Sequence, residues 1–300
     1  MRPWSTTVFV FIWWKMWTVK SAFCWINKEL KDFDAAPLEA ELLLRAILKF
    51  TSAKLYHNFE YSLSSEEIRL LISMVEKRKK HYPLAYLLGQ KEFFALELLV
   101  NEEVMIPRPE SEFLVEIALT KMSKYPTRTF NVVDLGTGSG CIAVSIAYNL
   151  PHSLVYAVDI SEKALTVARA NAYRYHLEGK IVFLQGDLFQ PLEDLNLKGK
   201  IDSVISNPPY IPSGEFSMLP PEIRNFEPRI ALDGGEQGFS FYPRIIEGAI
   251  PYLRPGGWII LELGPLTPVS EFISNHKEFG GVEIKNDYAG IPRILISQRL

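Results

Sequence analysis

The feature that most constrains this fold is the regular alternation of short β-branched runs with helical stretches after Phe130. The runs lie at residues 131–134, 154–158, 181–184, 203–206 and 258–263. Strands that alternate with helices are joined by crossover connections and therefore pair mostly in parallel. We predict an α/β fold with a Rossmann-like sheet, whose ligands bind at the carboxyl ends of the strands.

The first run ends in a glycine-rich loop, residues 134–140, that leads directly into a helix. Glycine permits a tight turn and leaves room for a ligand to lie against the backbone. The second run ends in Asp159, where a carboxylate can accept hydrogen bonds from both ribose hydroxyls of an adenosine. Together they predict an adenosine-containing cofactor. The loop residues predicted to contact it are Gly136, Thr137, Gly138, Ser139 and Gly140.

Two such cofactors use this architecture, NAD and S-adenosylmethionine. NAD-binding loops carry a third glycine one position later, where this chain has Cys141. Asp134 lies beside the loop, where the amino-acid part of a cationic S-adenosylmethionine would lie. After the third run, Asp187 can accept from an adenine amino group while Leu188 packs on the ring, although an aspartate there also suits a helix N-cap. These residues favour S-adenosylmethionine.

The fourth run ends in Asn207-Pro208-Pro209-Tyr210. Two prolines stiffen the loop and remove two backbone donors, so that its carbonyls remain as acceptors. An amide or aromatic-amine nitrogen is a poor nucleophile because its lone pair is delocalised. If the Asn207 side-chain oxygen and the Pro208 carbonyl each accept one N–H, the acceptor NH2 group is oriented towards a sulfonium methyl.

We therefore predict that Asn207, Pro208, Pro209 and Tyr210 clamp a planar acceptor, with Tyr210 packing on it. Asn207 is also expected to contact the cofactor, and no side-chain general base is required. A proline-rich turn with a structural role is the alternative.

The chain ahead of the sheet has a helical pattern. Apolar residues between Ala36 and Leu48 recur at helical spacing, and the segment 64–67 opens another helix with a serine cap and early acids. A hairpin with its turn at residues 101–103 is predicted next, followed by an extended segment at 107–109. The predicted divisions are an extension of unclear status at 1–16, a helical substrate-recognition domain at 17–88, a hairpin linker at 89–108 and the catalytic domain at 109–300.

The extension begins with a short apolar run that is too short to span a bilayer. It also lacks a convincing signal-peptide cleavage site. An unstructured or mis-assigned start ahead of Met16, an ordered helical extension and a targeting segment all fit it.

Composition limits the compartment and the partners. A net charge of −3 over 300 residues gives no global basic field for nucleic acid. The basic run at 76–80 is typical of a solvated helix end. The two cysteines, Cys24 and Cys141, provide no disulfide framework and no metal-ligand spacing, as in a reducing compartment. We expect a monomer in the bacterial cytoplasm, or alternatively in a mitochondrial or plastid matrix, with no metal, no stable nucleic-acid partner and no membrane partner.

Further segments complete a family pattern together with the glycine loop and residues 207–210. They are 82–89 with Glu92-Phe93, 106–112, Phe226-Glu227-Pro228 with 231–232 and 234–238, and Glu262-Leu263-Gly264. From about Trp17 to Arg299 the chain resembles the glutamine N5-methyltransferases of the HemK/PrmC type, which methylate the glutamine of the Gly-Gly-Gln motif in peptide chain release factors.

The resemblance implies a class I methyltransferase sheet with a small N-terminal helical domain joined by a β-hairpin. It also implies S-adenosylmethionine as cofactor and a release factor as protein substrate. Carried over by position, Gly136 to Gly140, Asp159, Leu188 and Asn207 are implied cofactor contacts, and Asn207 to Tyr210 are the implied glutamine clamp.

Three other readings of the function stay open. The Asn-Pro-Pro-Tyr motif is shared with methyltransferases that act on exocyclic amines of nucleic-acid bases, which need a cationic phosphate track. A sibling enzyme that methylates a ribosomal-protein glutamine typically has Pro-Arg-Ser-Pro where this chain has residues 107–110, which favours the release factor. A binding module without activity would not need an intact Asp159 and Asn207.

Two further pairs of residues are expected to have structural roles. Arg108 and Glu110 are expected to fix a domain angle, and Glu227 and Pro228 to close or hold a loop at the acceptor.

Overall fold

The structure is a computed structural model that describes residues 17–124, 128–264, 268–287 and 289–300. The predictions for residues 1–16 lie outside these ranges. The chain divides after Leu88 into two compact units. Within the described ranges, no helix is long and apolar enough to cross a membrane.

The smaller unit is helical. Its helices are α1 (Val19–Glu29), α2 (Ala36–Leu48), α3 (Ser52–His57), α4 (Ser65–Lys79) and α5 (Leu84–Leu88). The predicted cap of α4 is present: Ser64 Oγ accepts from Glu67 N, and the Glu67 carboxylate accepts from Ser64 N. The apolar faces of these helices share one core that includes Ile26, Leu43 and Leu71. Helix packing against that core, more than propensity, stabilises such short helices.

The basic run at the end of α4 has a structural role that its sequence pattern concealed. Arg78 is 4% exposed and donates to both carboxylate oxygens of Glu39, at 2.6 and 2.9 Å. Its guanidinium also lies 4.2 Å from the centre of the Phe33 ring. Only part of the run is therefore a solvated helix end, because Arg78 joins α4 to α2 through a buried ion pair.

The larger unit begins with a two-stranded hairpin, and the predicted position of its turn was wrong. Strands β1 (Gln90–Phe93) and β2 (Leu96–Leu99) pair antiparallel around Phe94 and Ala95, not around residues 101–103. Phe94 and Ala95 have φ values of 49° and 59°. Two-residue turns of this kind normally carry asparagine or glycine, so the sequence lacked the usual signal.

The hairpin packs on the larger unit. Asn171 Oδ1 accepts from Leu99 N at 2.6 Å, and Asn171 Nδ2 donates to Leu99 O at 3.0 Å. Phe93, Leu96 and Leu98 are buried in the same core as the central strands. The hairpin is therefore an integral layer of this unit.

A seven-stranded sheet forms the centre of the larger unit. Its strands are β3 (Phe130–Leu135), β4 (Ser153–Asp159), β5 (Ile181–Gln185), β6 (Ile201–Ser206), β7 (Leu253–Glu262), β8 (Phe279–Asn286) and β9 (Pro292–Arg299). They lie in the order β5-β4-β3-β6-β7-β9-β8. The first five pair in parallel, whereas β9 is antiparallel to both of its neighbours. This arrangement confirms the predicted class I, Rossmann-like sheet; the antiparallel pair β8 and β9 had not been predicted.

Helices cover both faces of the sheet. The helices of this unit are α6 (Glu112–Met122), α7 (Cys141–Asn149), α8 (Glu162–Arg174), α9 (Pro221–Phe226), α10 (Phe241–Ala249) and α11 (Val269–Ser274), of which α9 buries no residue. Neighbouring residues of β3 point to opposite faces, so Val132 is buried in one apolar cluster and Val133 in the other. Burial on both faces explains why the central strands are continuous apolar runs.

Candidate active site

A cavity of about 300 Å³ lies at the carboxyl ends of β3, β4 and β6. The chain crosses from β3 to β4 on one side and later returns to place β6 on the other, so this is the switch point where open α/β sheets bind ligands. Most of the predicted site residues line it. They are Gly136, Thr137, Gly138, Ser139, Asp159, Asp187, Leu188, Asn207, Pro208 and Pro209. The structure thus brings the predicted cofactor loop and the predicted clamp loop to one space.

The glycine loop adopts a conformation that side chains disfavour. Gly138 has a φ of 55°, and its N–H donates to Asp159 Oδ2 at 2.8 Å. Gly140 has a φ of 80°, and a Cβ there would lie 3.0 Å from the Cβ of Ala168 on α8. The structure therefore assigns Gly140 a role in helix packing, whereas Gly136 to Ser139 face the cavity.

Asp134 lies beneath this loop and is fully buried. Its Oδ2 accepts from Thr137 Oγ1 at 2.6 Å and from Ala143 N at 3.2 Å, which ties the loop to the first turn of α7. Its Oδ1 has no hydrogen-bond partner among the described residues. Burial raises the pKa of Asp134 to about 7, with the Asp159 charge adding to the increase. A buried carboxylate at this place favours a cationic group or a water as its missing partner.

Asp159 projects from the end of β4 into the cavity wall. Its Oδ2 accepts from Gly138 N, and its Oδ1 accepts from Ser161 N at 2.9 Å. Burial raises the pKa of Asp159, while these backbone N–H groups oppose the increase. Each carboxylate oxygen keeps lone-pair capacity after accepting one N–H, so both can still accept from a ligand hydroxyl.

Asp187 and Leu188 follow β5, and an arginine that the sequence analysis missed accompanies them. Arg244 Nη2 lies 2.5 Å from Asp187 Oδ2, and both side chains are about half exposed at the cavity rim. Leu188 has a φ of 49°, which is unusual for a branched side chain, and it lines the cavity. No sequence motif links positions 187 and 244, which explains why Arg244 was not predicted.

The clamp loop begins directly after β6. Ser206 Oγ donates to Leu135 O at 2.8 Å, so the two loops leave the sheet side by side. Asn207 Nδ2 donates to Ser111 Oγ at 2.9 Å. Tyr210, unlike the three residues before it, is not among the described residues that line the cavity, and its hydroxyl is 3.5 Å from Glu262 Oε1. Burial, and then the charge of Glu262, raise the pKa of Tyr210, so that its hydroxyl stays protonated.

Two glycines of the segment 234–238 allow the chain to approach the back of the clamp loop. A Cβ on Gly234 would lie 2.7 Å from Tyr210 Cα and 2.8 Å from Pro209 O. A Cβ on Gly238 would lie 2.2 Å from Tyr210 O. Gly234 N also donates to Ile211 O at 2.9 Å. The glycines are therefore needed for close backbone packing that supports Pro209 and Tyr210.

Ser111 and Glu262 are buried polar residues that the sequence analysis did not assign to the site. Ser111 is 2% exposed and Glu262 is 1% exposed. Ser111 Oγ donates to Glu262 Oε2 at 2.6 Å. Burial raises the pKa of Glu262 to about 7, and the hydrogen bond from Ser111 opposes the increase. Both residues lie in segments that carry the family resemblance, and this was the only indication in the sequence that they belong to the site. Their wide separation along the chain gave no indication that they are in contact.

Arg108 and Glu227 form the ion pair that holds the acceptor side together. Arg108 Nη2 lies 2.5 Å from Glu227 Oε1, and Ile106 N donates to Glu227 Oε2 at 3.3 Å. The Glu227 side chain is 1% exposed. Burial raises the pKa of Glu227, and the Arg108 charge opposes the increase. Glu227 therefore holds the segment after the clamp loop against residues 106–108.

The cavity suits an adenosine with a short cationic tail. Its volume is at the lower end of the range of about 300–1,000 Å³ that small-molecule sites occupy. Asp159 provides acceptors for hydroxyl groups, and Asp134 provides a buried carboxylate beneath the loop. Cys141 occupies the place of the third glycine of an NAD loop, and this residue is part of the cavity lining. These features fit S-adenosylmethionine. No cluster of three metal-ligating side chains occurs in the part of the chain that the structure describes.

Two family models and several known proteins match this chain. The PrmC N-terminal domain family matches residues 21–89, and the methyltransferase small domain family matches residues 110–218. The release factor glutamine methyltransferase of Geobacter sulfurreducens is 41% identical over 83% of this chain and 85% of its own length. Its counterpart in Moorella thermoacetica is 38% identical over 87% of this chain and 91% of its own length.

Solved structures with the same fold are more distant. The hMettl16 catalytic domain, solved with an RNA hairpin, has a TM-score of 0.54 at 18% identity and covers 77% of this chain and 81% of its own. The 16S rRNA N2 G1207 methyltransferase of T. thermophilus, solved with AdoMet and guanosine, has a TM-score of 0.51 at 18% identity and covers 70% of this chain and 50% of its own. At such identity they establish the methyltransferase fold only. The sequence relatives establish more, and this chain belongs to the release factor glutamine methyltransferase family.

Proposed function

We propose that this protein transfers a methyl group from S-adenosylmethionine to the side-chain amide nitrogen, N5, of a glutamine in a peptide chain release factor. The observation that carries the proposal is that the glycine loop and the Asn207–Pro209 segment line the same cavity. A cofactor held by the first and an acceptor held by the second would therefore meet. The curated relatives are named for release factor glutamine methylation, which supports this acceptor.

The acceptor side supplies orientation. A glutamine NH2 group has two N–H donors, and the Asn207 side-chain oxygen and the Pro208 carbonyl can each accept one. This fixes the plane of the amide and directs the remaining electron density of its nitrogen to one side. A preorganised and largely apolar pocket suits a reaction in which positive charge is lost. The amide nitrogen loses one proton to water after methyl transfer, so no side-chain general base is required.

The cofactor side binds and positions. S-adenosylmethionine supplies, when bound, a methyl group on a positively charged sulfur. Asp159 is assigned to the ribose hydroxyls, and Asp187 and Leu188 to the adenine, with Gly136 to Ser139 allowing close approach of the cofactor to the backbone. Asp134 provides a buried carboxyl group beneath the loop, which a cationic cofactor would hold in its ionised form.

The acceptor we propose is the glutamine of the Gly-Gly-Gln motif, because the segments around residues 107–110 and 226–228 follow the release-factor pattern. We assign acceptor recognition to the helical unit at residues 17–88, since a protein offers more surface than the cavity can contact. The reaction is placed in the bacterial cytoplasm or an organelle matrix. The free thiols of Cys24 and Cys141 suit such a reducing compartment.

The proposal is tested by transfer of labelled methyl from S-adenosylmethionine to a purified release factor. A release factor with Gln→Ala in its Gly-Gly-Gln motif, a ribosomal-protein fraction and total RNA are run in parallel. We expect label on the native factor alone. Label on the ribosomal fraction would indicate the sibling activity, and label on RNA would indicate a base methyltransferase; either result contradicts the proposed acceptor.

A further inference from the structure

A buried hydrogen-bonded chain leads from the clamp to a carboxylate at the end of β7. Asn207 Nδ2 donates to Ser111 Oγ at 2.9 Å, and Ser111 Oγ donates to Glu262 Oε2 at 2.6 Å. Asn207 and Ser111 both line the cavity. Ser206 pairs with Leu261 across β6 and β7, so Asn207 and Glu262 follow directly after paired positions of adjacent strands.

The direction of these hydrogen bonds determines which atom of the Asn207 amide faces the acceptor. An ionised carboxylate can only accept, so Ser111 must give its single hydroxyl proton to Glu262. The Ser111 oxygen can then only accept from Asn207, which requires the NH2 end of the Asn207 amide to face it. The opposite end, Oδ1, is thereby turned away from Ser111 and left free for the acceptor N–H.

We propose that Ser111 and Glu262 are positioning residues that fix the Asn207 amide in the one orientation able to accept a hydrogen bond from the substrate. This inference rests on the proposed function. Neither residue needs to touch the reacting atoms. Their part is to prevent an amide flip that would present NH2 to the NH2 of the acceptor, where two donors would face each other.

Glu262, at the end of β7, is held in position by further hydrogen bonds. Tyr242 Oη donates to Glu262 O at 2.9 Å and accepts from Gly264 N at 3.1 Å. Tyr210 reaches the second carboxylate oxygen at 3.5 Å. Locking a side chain by burial and by further hydrogen bonds is what gives a site precise geometry.

Protonation of Glu262 would reverse the chain of donors. A protonated carboxyl can donate to Ser111 Oγ, and the Ser111 hydroxyl is then free to donate to Asn207 Oδ1, which permits the flipped amide. Burial raises the pKa of Glu262 to about 7. The ionised form therefore gains population as the pH rises through neutrality, and the turnover number should rise with it.

Charged and titratable groups from several elements act on Glu262. They are Glu110 ahead of α6, Arg293 on β9 and Tyr210 on the clamp loop, and the Glu262 charge in turn acts on Cys141 at the start of α7. Arg293 is already paired with Asp287 at 2.9 Å. Glu110 favours the protonated form of Glu262, whereas Arg293 and the Tyr210 hydroxyl favour the ionised form.

The first test needs no acceptor. In protein labelled with ¹⁵N in asparagine, the Asn207 side-chain amide signals are identified by their loss in Asn207→Ala and followed by NMR across the neutral pH range. We expect them to shift with a midpoint near neutrality in the native chain and to stay constant in Glu262→Gln. A shift that is absent from the native chain, or unchanged in Glu262→Gln, would overturn the proposal.

The second test measures methyl transfer to the release factor. Ser111→Ala should lower kcat by about tenfold or more, because orientation of the acceptor is lost, with the cofactor Kd unchanged. Ser111→Thr retains the hydroxyl and should recover most of the rate. The control is Ser203→Ala, which removes another buried serine hydroxyl, on β6. A native rate in Ser111→Ala would contradict the positioning role.

The two tests separate the two proposals. If the native chain methylates no release factor, the proposed function fails, yet the Asn207 titration still decides whether Ser111 and Glu262 set the amide. If transfer occurs but the titration is absent, only the positioning role fails. In Glu262→Gln the turnover should lose its rise through neutrality, a change that a merely structural defect would not produce.

Discussion

The two halves of the cavity are held in place by contacts of different range. In the cofactor half, the contacts join Asp134 to Thr137, three residues apart, and Asp159 to Gly138, 21 residues apart. In the acceptor half, Asn207 depends on Ser111, 96 residues away, and Ser111 depends on Glu262, 151 residues away. The glycine loop and Asp159 are held within two consecutive strand-helix units, and only the Asp187–Arg244 pair of the cofactor half spans more, at 57 residues. The contacts of Asn207 and Ser111 join more distant parts of the chain.

This difference divides the expected effects of substitution. Changes in the cofactor half should act mainly on the binding of S-adenosylmethionine, because we assign its residues to the cofactor alone. Changes in the acceptor half should act mainly on kcat, because its residues set the orientation of the nucleophile. Each of the following substitutions tests whether effects on cofactor binding and effects on kcat are separated in this way.

The largest effect is expected for Asn207→Ala. Loss of the side-chain acceptor should lower kcat by about a hundredfold or more, since the glutamine amide is no longer oriented. Cofactor affinity, measured by calorimetry on the same sample, should change much less. A turnover number close to that of the native chain would defeat the clamp.

A smaller loss of turnover, of about tenfold, is expected for Gly234→Ala, because the added Cβ would lie 2.7 Å from Tyr210 Cα and must displace the clamp loop. Gly214→Ala is the matched control, since a Cβ there meets nothing within 4 Å. Steady-state transfer to the release factor measures both. Equal rates in the two variants would show that the clamp loop does not depend on its backbone support.

The cofactor half is probed by Asp159→Ala. A lost charge-assisted hydrogen bond should weaken S-adenosylmethionine binding by roughly 1.5–3 kcal/mol, with a smaller effect on kcat at saturating cofactor. Asp187→Ala should weaken binding less, because the Asp187 carboxylate is 43% exposed and paired with Arg244. Calorimetric titration distinguishes them, and an unchanged affinity in Asp159→Ala would remove Asp159 from the site.

The same contrast explains what the sequence could predict. The strands β3 to β7 and the glycine loop could be predicted from local patterns, namely apolar runs, turn glycines and an aspartate at a strand end. Asn207 to Tyr210 could be recognised because two prolines after a strand are conformationally costly. The cofactor residues and the clamp were therefore proposed from short stretches of sequence.

The residues that support the clamp could not be found in that way. Ser111 and Glu262 gain their roles from a contact between residues 151 positions apart, which no spacing encodes. The hairpin turn was misplaced because Phe94 and Ala95 adopt positive φ without the residues that usually do so. Arg78 looked like part of a solvated run because its partner, Glu39, lies on another helix.

The most direct test of the central claim, that a primary amide nitrogen is the atom methylated, is chemical analysis of the labelled release factor. Acid hydrolysis of N5-methylglutamine leaves glutamate and releases methylammonium, which becomes volatile methylamine when the hydrolysate is made alkaline. The account predicts that the label is recovered as methylamine, from the peptide that contains the Gly-Gly-Gln motif, and that Asn207→Ala abolishes it. Label that remains non-volatile on another side chain, or that maps to another peptide, would contradict it.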